Sequence, residues 1–223
     1  MSQSMVRNLI VKDFQIHRTS IVAAIAAGVL GLAVLQFKGL TGLLGIIGFF
    51  TTMIVLGSTL PHASILSERK GQNLAFLMSL PISATQYTTA KILSALGIFM
   101  IPWLTLLAGA LSVIFGRSDI PNGIIPVTLI LITLPLVGFC VMTAVALVGE
   151  SEGWVMAATI AVNVAYSLSW VVVASNAELR SGFGSLTPVW SPTVLTVLGS
   201  EFAAIATILA ITFYLQSRKR DFV

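Results

Sequence analysis

Charged residues are scarce in this chain of 223 residues, where only 9% are Asp, Glu, Lys or Arg and 57% are hydrophobic. Soluble globular domains carry roughly 25% charged residues, which they need to cover a surface that faces water. The mean hydropathy of +0.99 is also far above the range of such domains. Composition therefore predicts an integral membrane protein and excludes a soluble domain.

Residues for covalent or metal chemistry are equally few. The single cysteine, Cys140, has no second thiol for an internal disulfide, and its apolar surroundings predict a small core residue. The two histidines, His17 and His62, are far apart, and an interfacial position is expected for each. The sequence contains no G-x-x-x-x-G-K-[ST], no H-E-x-x-H and no G-x-S-x-G. We therefore expect no catalytic residue, no metal site and no cofactor in this chain.

Long apolar runs predict an all-α fold with six transmembrane helices in one domain, 1–223. A run of about 20 apolar residues crosses ~30 Å of hydrocarbon at 1.5 Å per residue. The predicted spans cover about residues 19–37, 40–66, 92–115, 124–148, 154–174 and 193–215. The segment 175–192, rich in Gly, Ser and Pro, is the longest predicted external loop.

Residues 1–18, ahead of the first span, have apolar side chains at positions 6, 9, 10 and 14 and polar ones at 13 and 17. This spacing predicts an amphipathic helix on the membrane surface. A cleaved signal peptide is the alternative, but no small-residue cleavage site follows the apolar run that ends at Phe37. We therefore expect an interfacial helix that leads into an uncleaved first span.

Basic residues predict the orientation, because Lys and Arg accumulate on the cytoplasmic side of a membrane. With both termini inside, the twelve basic residues lie mainly in the N-terminal segment, in the loop 67–91 and in the C-terminal tail, and only Lys38, Arg117 and Arg180 lie outside. Anionic lipid and this asymmetry account for the net charge of +4, so we expect no nucleic-acid partner. Both termini and the loop 67–91 are therefore predicted to be cytoplasmic.

The loop 67–91 is the longest charge-bearing island between two apolar runs. Asn73 is suited to cap a short helix over residues 74–79, because its side-chain oxygen accepts a backbone N–H bond. Pro81 ends that helix, and the S-x-x-Q spacing at 83–86 is typical of a capping box that starts the next one. The pattern predicts a short, mostly apolar helix outside the bilayer, between two long helices.

The same loop resembles the cytoplasmic loop of ABC-2-type ABC transporter permeases. The resemblance rests on Glu68-Arg69-Lys70, on Asn73 followed by the run Phe76-Leu77-Met78-Ser79-Leu80-Pro81-Ile82-Ser83, and on Tyr87 with Ala90-Lys91. In that family this loop carries a coupling helix that docks on a separate ATPase subunit. The resemblance implies that the ATPase contact is made by Glu68, Arg69, Lys70, Asn73, Leu74, Phe76, Leu77, Leu80 and Pro81.

The resemblance also implies a function, that of the permease subunit of an ATP-driven exporter in the bacterial cytoplasmic (inner) membrane. ATP and Mg²⁺ would then be bound by the partner ATPase, and this chain would not itself be an enzyme. Two permease chains, identical or related, would enclose the translocation path within membrane lipid. Two ABC ATPase subunits would bind beneath them.

Polar residues inside the predicted spans are candidates for that path, since polar groups in lipid are costly unless they face protein or water. Thr159, Asn163 and Tyr166 share one face of the fifth span by helical spacing, and Thr51 and Ser58 line up similarly on the second. The resemblance implies that these two spans face the permease dimer interface. Hydrogen bonding between helices is the alternative role.

Glu201 is the carboxylate that stands inside an apolar run. If the sixth span starts near Thr193, Glu201 lies about 12 Å deep and should pair with another group. If the span starts just after Glu201, the carboxylate lies at the interface, and this second interpretation is the one we favour from the sequence.

Two other classes of protein stay open. One is a non-transporting membrane anchor or sensor, in which the cytoplasmic loop only recruits a partner. The other is a secondary transporter, in which Glu201 or His62 carries coupling protons. That class is typically built from inverted repeats and broken helices, and no internal repeat is evident here. The sequence does not indicate a substrate.

Overall fold

The computed structural model describes residues 2–61, 65, 84–149 and 151–218 of the chain. These residues form helices and their connections, with no β-strand among them. In chain order the helices are α1 (Ser2–Val34), α2 (Leu40–Pro61), α3 (Ala84–Gly116), α4 (Ile125–Gly149), α5 (Glu152–Ser175), α6 (Ala177–Ser181) and α7 (Pro192–Arg218). A 3₁₀ turn, Asn122–Ile124, leads into α4.

Six of these helices, all except the five-residue α6, are long and apolar enough to cross a membrane. Each of them contains a long run of apolar residues of the length that crosses the hydrocarbon of a bilayer. The predicted all-α fold with six membrane-length helices is therefore confirmed. The chain has the composition of a multi-pass membrane protein.

The predicted amphipathic helix of the N-terminal segment is not confirmed as a separate element. Helix α1 runs without a break from Ser2 to Val34, so no boundary separates residues 2–18 from the first span. Asp13 and His17, the polar positions of the predicted amphipathic pattern, are 3% and 7% exposed. They are buried because α1 packs along α3, where charged and hydroxyl groups meet Asp13. A position on a membrane surface stays a prediction for this segment.

Helices α1 and α2 form a hairpin in which their backbones approach closely. Gly39, with a φ of 69°, makes the turn, because glycine adopts this left-handed conformation without a steric penalty. Further along, a Cβ added to Gly31 would lie 2.8 Å from the Phe49 nitrogen, and one added to Gly45 would meet the backbone of Leu35. Glycine therefore sets the separation of the two helices, as small residues do in membrane helix pairs.

Helix α4 is the centre of the bundle. It packs on α2, α3, α5 and α7, and most of its side chains are buried, as expected for a helix that is apolar on all sides. The rings of Phe99 on α3 and Phe139 on α4 stack with their centroids 4.4 Å apart. Nearby, Trp103 Nε1 donates a hydrogen bond of 2.8 Å to the Ile132 carbonyl, which satisfies a polar group inside an apolar core.

Helix α5 lies at the edge of the bundle and packs mainly on α4. Of its 24 residues only Val155, Tyr166 and Val173 are buried. Large apolar side chains such as Trp154, Ile160 and Val171 are more than 60% exposed. The chain thus leaves most of the α5 surface for contact with lipid or with another protein.

Candidate functional site

The nine residues predicted to contact an ATPase lie outside the described residues: Glu68, Arg69, Lys70, Asn73, Leu74, Phe76, Leu77, Leu80 and Pro81. The coupling helix over 74–79 therefore stays a prediction. The C-terminal part of the predicted loop 67–91 is described, and it belongs to α3, which begins at Ala84.

A groove of about 430 Å³ runs between α2 and α5 and brings together three of the five predicted path residues. Thr51 lies on its α2 side, and Asn163 and Tyr166 lie on its α5 side. Thr159 lines a shallower groove of about 390 Å³ that it shares with Asn163 on the outer face of α5. Ser58 is two turns beyond Thr51 on α2 and is not among the residues that line either groove.

The polar path residues bond mainly along their own helices. Asn163 Nδ2 donates to the Thr159 carbonyl at 2.8 Å, and Ser58 Oγ donates to the Ile54 carbonyl at 3.1 Å. Thr159 Oγ1 lies 2.8 Å from the Val155 carbonyl and 3.6 Å from Met142 Sδ on α4. Among the described residues, the interhelical hydrogen bonding of these side chains, which is their alternative role, is thus limited to the weak contact with sulfur.

The exposure of Asn163 is the feature that distinguishes this surface. Asn163 lies near the middle of α5, it is exposed, and among the described residues its side chain bonds only to the Thr159 carbonyl. A primary amide offers two donor hydrogens and an acceptor oxygen, so most of its bonding capacity points away from its own helix. The surface is therefore suited to contact another polar partner or water.

Tyr166 has a more structural position than predicted. It is 7% exposed, and a Cβ added to Gly138 on α4 would collide with the Tyr166 hydroxyl oxygen. Because Gly138 has no side chain, the tyrosine fits between α4 and α5 and only part of it lines the groove. Tyr166 therefore fixes the distance between these helices as well as lining the groove.

Two groove residues are not among those predicted from the sequence. Ser167 lies one turn after Asn163, and its hydroxyl donates to the Asn163 carbonyl at 3.1 Å. The i, i+4 spacing that grouped Thr159 with Asn163 also applies to Ser167, so this signal was present. Phe50 on α2 meets Trp170 on α5 edge to face, with centroids 5.1 Å apart. No sequence pattern indicates that contact, because an aromatic residue in a mostly apolar helix does not show which neighbouring helix it faces.

A buried polar cluster joins α1 to α3. Lys91 Nζ lies 3.1 and 2.9 Å from the two carboxylate oxygens of Asp13, and Ser94 Oγ donates to Asp13 Oδ2 at 2.8 Å. Lys91 and Asp13 are 2% and 3% exposed. The sequence predicts a surface helix around Asp13 and a loop that includes Lys91, so it does not predict the pair.

Glu201 lies nine residues inside α7, which begins at Pro192. It is 7% exposed, and neither of its oxygens has a hydrogen-bond partner among the described residues. The interfacial position favoured from the sequence stays a prediction, since the start of a helix does not set where the hydrocarbon begins. The helix starts before Glu201 because Ser191 caps it, with Ser191 Oγ accepting from the Val194 N–H.

A charged pair marks the end of the bundle that is predicted to be external. Arg117 binds Asp119 through two nitrogen atoms, and its Nη1 also donates to the Gln36 carbonyl at 3.3 Å. The hydrogen bond from Arg117 lowers the pKa of the Asp119 carboxyl to about 2. The pair ties the turn after α3 to the end of α1.

Comparison with known proteins adds no relative, since no protein-family model, no curated protein and no solved structure matches the chain. Within the described residues, no group of three His, Cys, Asp or Glu side chains could hold a metal ion.

Proposed function

We propose that this chain is the permease subunit of an ATP-driven ABC exporter in the bacterial cytoplasmic membrane. Two such chains, identical or related, enclose a translocation path, and separate ABC ATPase subunits bind ATP and Mg²⁺ beneath them. The six membrane-length helices and the resemblance of the loop 67–91 to an ABC-2 coupling loop support the proposal.

The observation that carries the proposal is the polar surface in the middle of α5. Asn163 and Ser167 are exposed beside the groove that α5 forms with α2. An amide side chain that faces hydrocarbon is unfavourable because its polar groups lack hydrogen-bond partners. Such residues in membrane helices therefore typically face protein or a water-filled cavity. A second permease chain across this surface would cover the polar groups and place them beside the path.

Coupling to ATP would use the neighbouring helix. Closure of the ATPases would push on the apolar helix at 74–79, and α3 begins a few residues later, at Ala84, and is 33 residues long. Because Asp13 and Lys91 bind each other inside the protein, α1 would move together with α3. Such a mechanism needs two conformations whose populations ATP binding shifts.

A photo-cross-linking amino acid placed at position 163 tests whether protein covers the groove. Irradiation in native membranes should give adducts with a second copy or with another integral membrane protein, identified by mass spectrometry. Ala165 provides the matched control, because it is exposed at nearly the same depth but about 200° around the helix. Adducts with lipid alone at both positions would count against a paired permease.

A further inference from the structure

A second cavity, of about 500 Å³, lies inside the subunit at the end of the bundle that is predicted to be external. The C-terminal ends of α1 and α3 and the N-terminal ends of α2 and α4 surround it. Its lining includes buried side chains from these four helices, among them Leu32, Phe49, Ala110 and Leu131. It therefore lies largely within the core of the chain, and it shares Ile46, Phe50 and Trp170 with the lining of the groove between α2 and α5.

The lining of the cavity is hydrocarbon and aromatic. Apart from Thr128, every described residue that lines it is aliphatic or aromatic. The volume falls within the range of roughly 300–1,000 Å³ of small-molecule sites and exceeds the water-sized voids of packed interiors. Water gains little in an apolar cavity, and lining atoms that face empty space lose their dispersion contacts. The cavity therefore favours an apolar occupant.

The cavity reaches the surface beside two aromatic side chains. Trp170 and Phe183 belong to its lining and are 41% and 38% exposed. Trp170 lies near the end of α5, where tryptophan typically marks the boundary between hydrocarbon and headgroups. An apolar chain of the surrounding membrane would therefore meet the cavity at this opening.

Polar groups lie close to the same cavity. Leu35 and Ile120 are part of its lining, and Arg117 Nη1 lies 3.5 Å from the Leu35 carbonyl oxygen. Asp119, next to Ile120, is bound to Arg117 and exposed. An apolar interior beside a charged, exposed rim matches a molecule that has an apolar chain and a polar end.

We propose that this cavity binds the hydrocarbon chain of an amphiphile, whose polar group stays outside near the Arg117–Asp119 rim. A membrane phospholipid and a free fatty acid share this chemistry. The proposal goes beyond the exporter function and does not depend on it, because the binding needs neither ATP nor a partner chain.

Photolabelling of the wild-type chain tests the proposal directly. The protein is reconstituted without an ATPase into phosphatidylcholine vesicles that contain palmitic acid with a diazirine near the chain end. We expect adducts in the segments 32–35, 110–114 and 127–131, and a loss of these adducts when excess unlabelled palmitate is added. Adducts that cannot be competed away and that spread over the exposed faces of α5 and α7 would rule out a free fatty acid as the occupant.

A second probe, a phosphatidylcholine with the diazirine in one acyl chain, distinguishes the two sources of the hydrocarbon chain. Labelling of the three segments by the phospholipid and not by palmitic acid identifies membrane lipid as the occupant. The opposite pattern identifies a free amphiphile. Absence of competed adducts in these segments with both probes would overturn the proposal.

Ala110→Phe fills the cavity and should lose most of the competed labelling. Ala108→Phe is the matched control, because Ala108 is on the same helix and exposed, and it should label like the wild type. Val113→Trp, at a half-buried lining position, replaces Ala110→Phe if that variant does not fold. Unchanged labelling in a folded cavity-filling variant would contradict the proposal, as would an equal loss in Ala108→Phe.

Discussion

Lys91 Nζ lies 2.9 Å from Asp13 Oδ2, although the two residues are 78 positions apart in the sequence. Both side chains are buried, and among the described residues Asp13 is bonded to Lys91 and Ser94. Removing one partner of a buried ion pair leaves a charge without compensation, which typically costs about 3–5 kcal/mol. This pair therefore contributes to the contact between α1 and α3, beside the apolar side chains that the two helices bury together.

Lys91→Met should accordingly lower the thermal midpoint of unfolding in mild detergent by several degrees. Asp13→Asn added to Lys91→Met should recover much of the loss, because the buried charge is then gone from both sides. Lys38→Met is the control, since Lys38 is exposed in the α1–α2 turn. Equal effects of Lys91→Met and Lys38→Met would show that the pair contributes nothing.

Gly45→Ala should destabilise the α1–α2 hairpin. The added methyl group would meet the backbone of Leu35, and relief of such overpacking typically costs about 1–3 kcal/mol. Gly48→Ala on the same helix has no atom within 4 Å of the new Cβ and should be stabilising by up to ~1 kcal/mol through helix propensity. Thermal unfolding of the two variants side by side measures the difference, and a shift of the same sign in both would contradict the close approach.

Glu201→Leu should raise stability. The carboxylate is buried in α7 without a hydrogen-bond partner among the described residues, and burying such a polar group costs roughly 1–3 kcal/mol in proteins. Leucine removes that cost and fills a similar space. A lower unfolding temperature of Glu201→Leu in the assembled complex would show instead that another chain supplies a partner to the carboxylate.

The contribution of Asp119 to stability is expected to depend on pH. Its pKa is lowered to about 2 in the folded chain, whereas an unperturbed aspartate titrates near 3.9. A carboxyl whose folded pKa is depressed stabilises the fold above its unfolded pKa, and that contribution is lost as the pH falls through the folded value. The difference in unfolding temperature between the wild type and Asp119→Asn should therefore be constant from pH 7 to 5 and shrink between about 4 and 2. A difference that grows on acidification would contradict the assignment.

The sequence predicts the six long helices well, because the length of an uncharged run directly reflects the hydrocarbon it has to cross. It predicts the face of α5 around Asn163, since polar residues stand out at helical spacing in an apolar helix. It does not predict the Asp13–Lys91 pair, because nothing local to either residue indicates a partner 78 positions away. The Phe50–Trp170 contact and the inner cavity are not predicted either. Where apolar residues occur around most of a helix, their spacing does not show which face packs on which neighbour.

The proposed coupling to an ATPase is tested most directly by purifying the tagged chain from its native membranes in mild detergent and assaying the eluate for ATP hydrolysis. We predict a near-stoichiometric ATPase subunit in the eluate, and its loss when Phe76 and Leu77 are both changed to Asp. Leu186→Asp is the control, because Leu186 is 83% exposed in the predicted external loop and should leave the ATPase bound. Recovery of the chain without any ATPase, under conditions that keep known membrane complexes intact, would contradict the exporter proposal and favour the sensor or secondary-transporter classes.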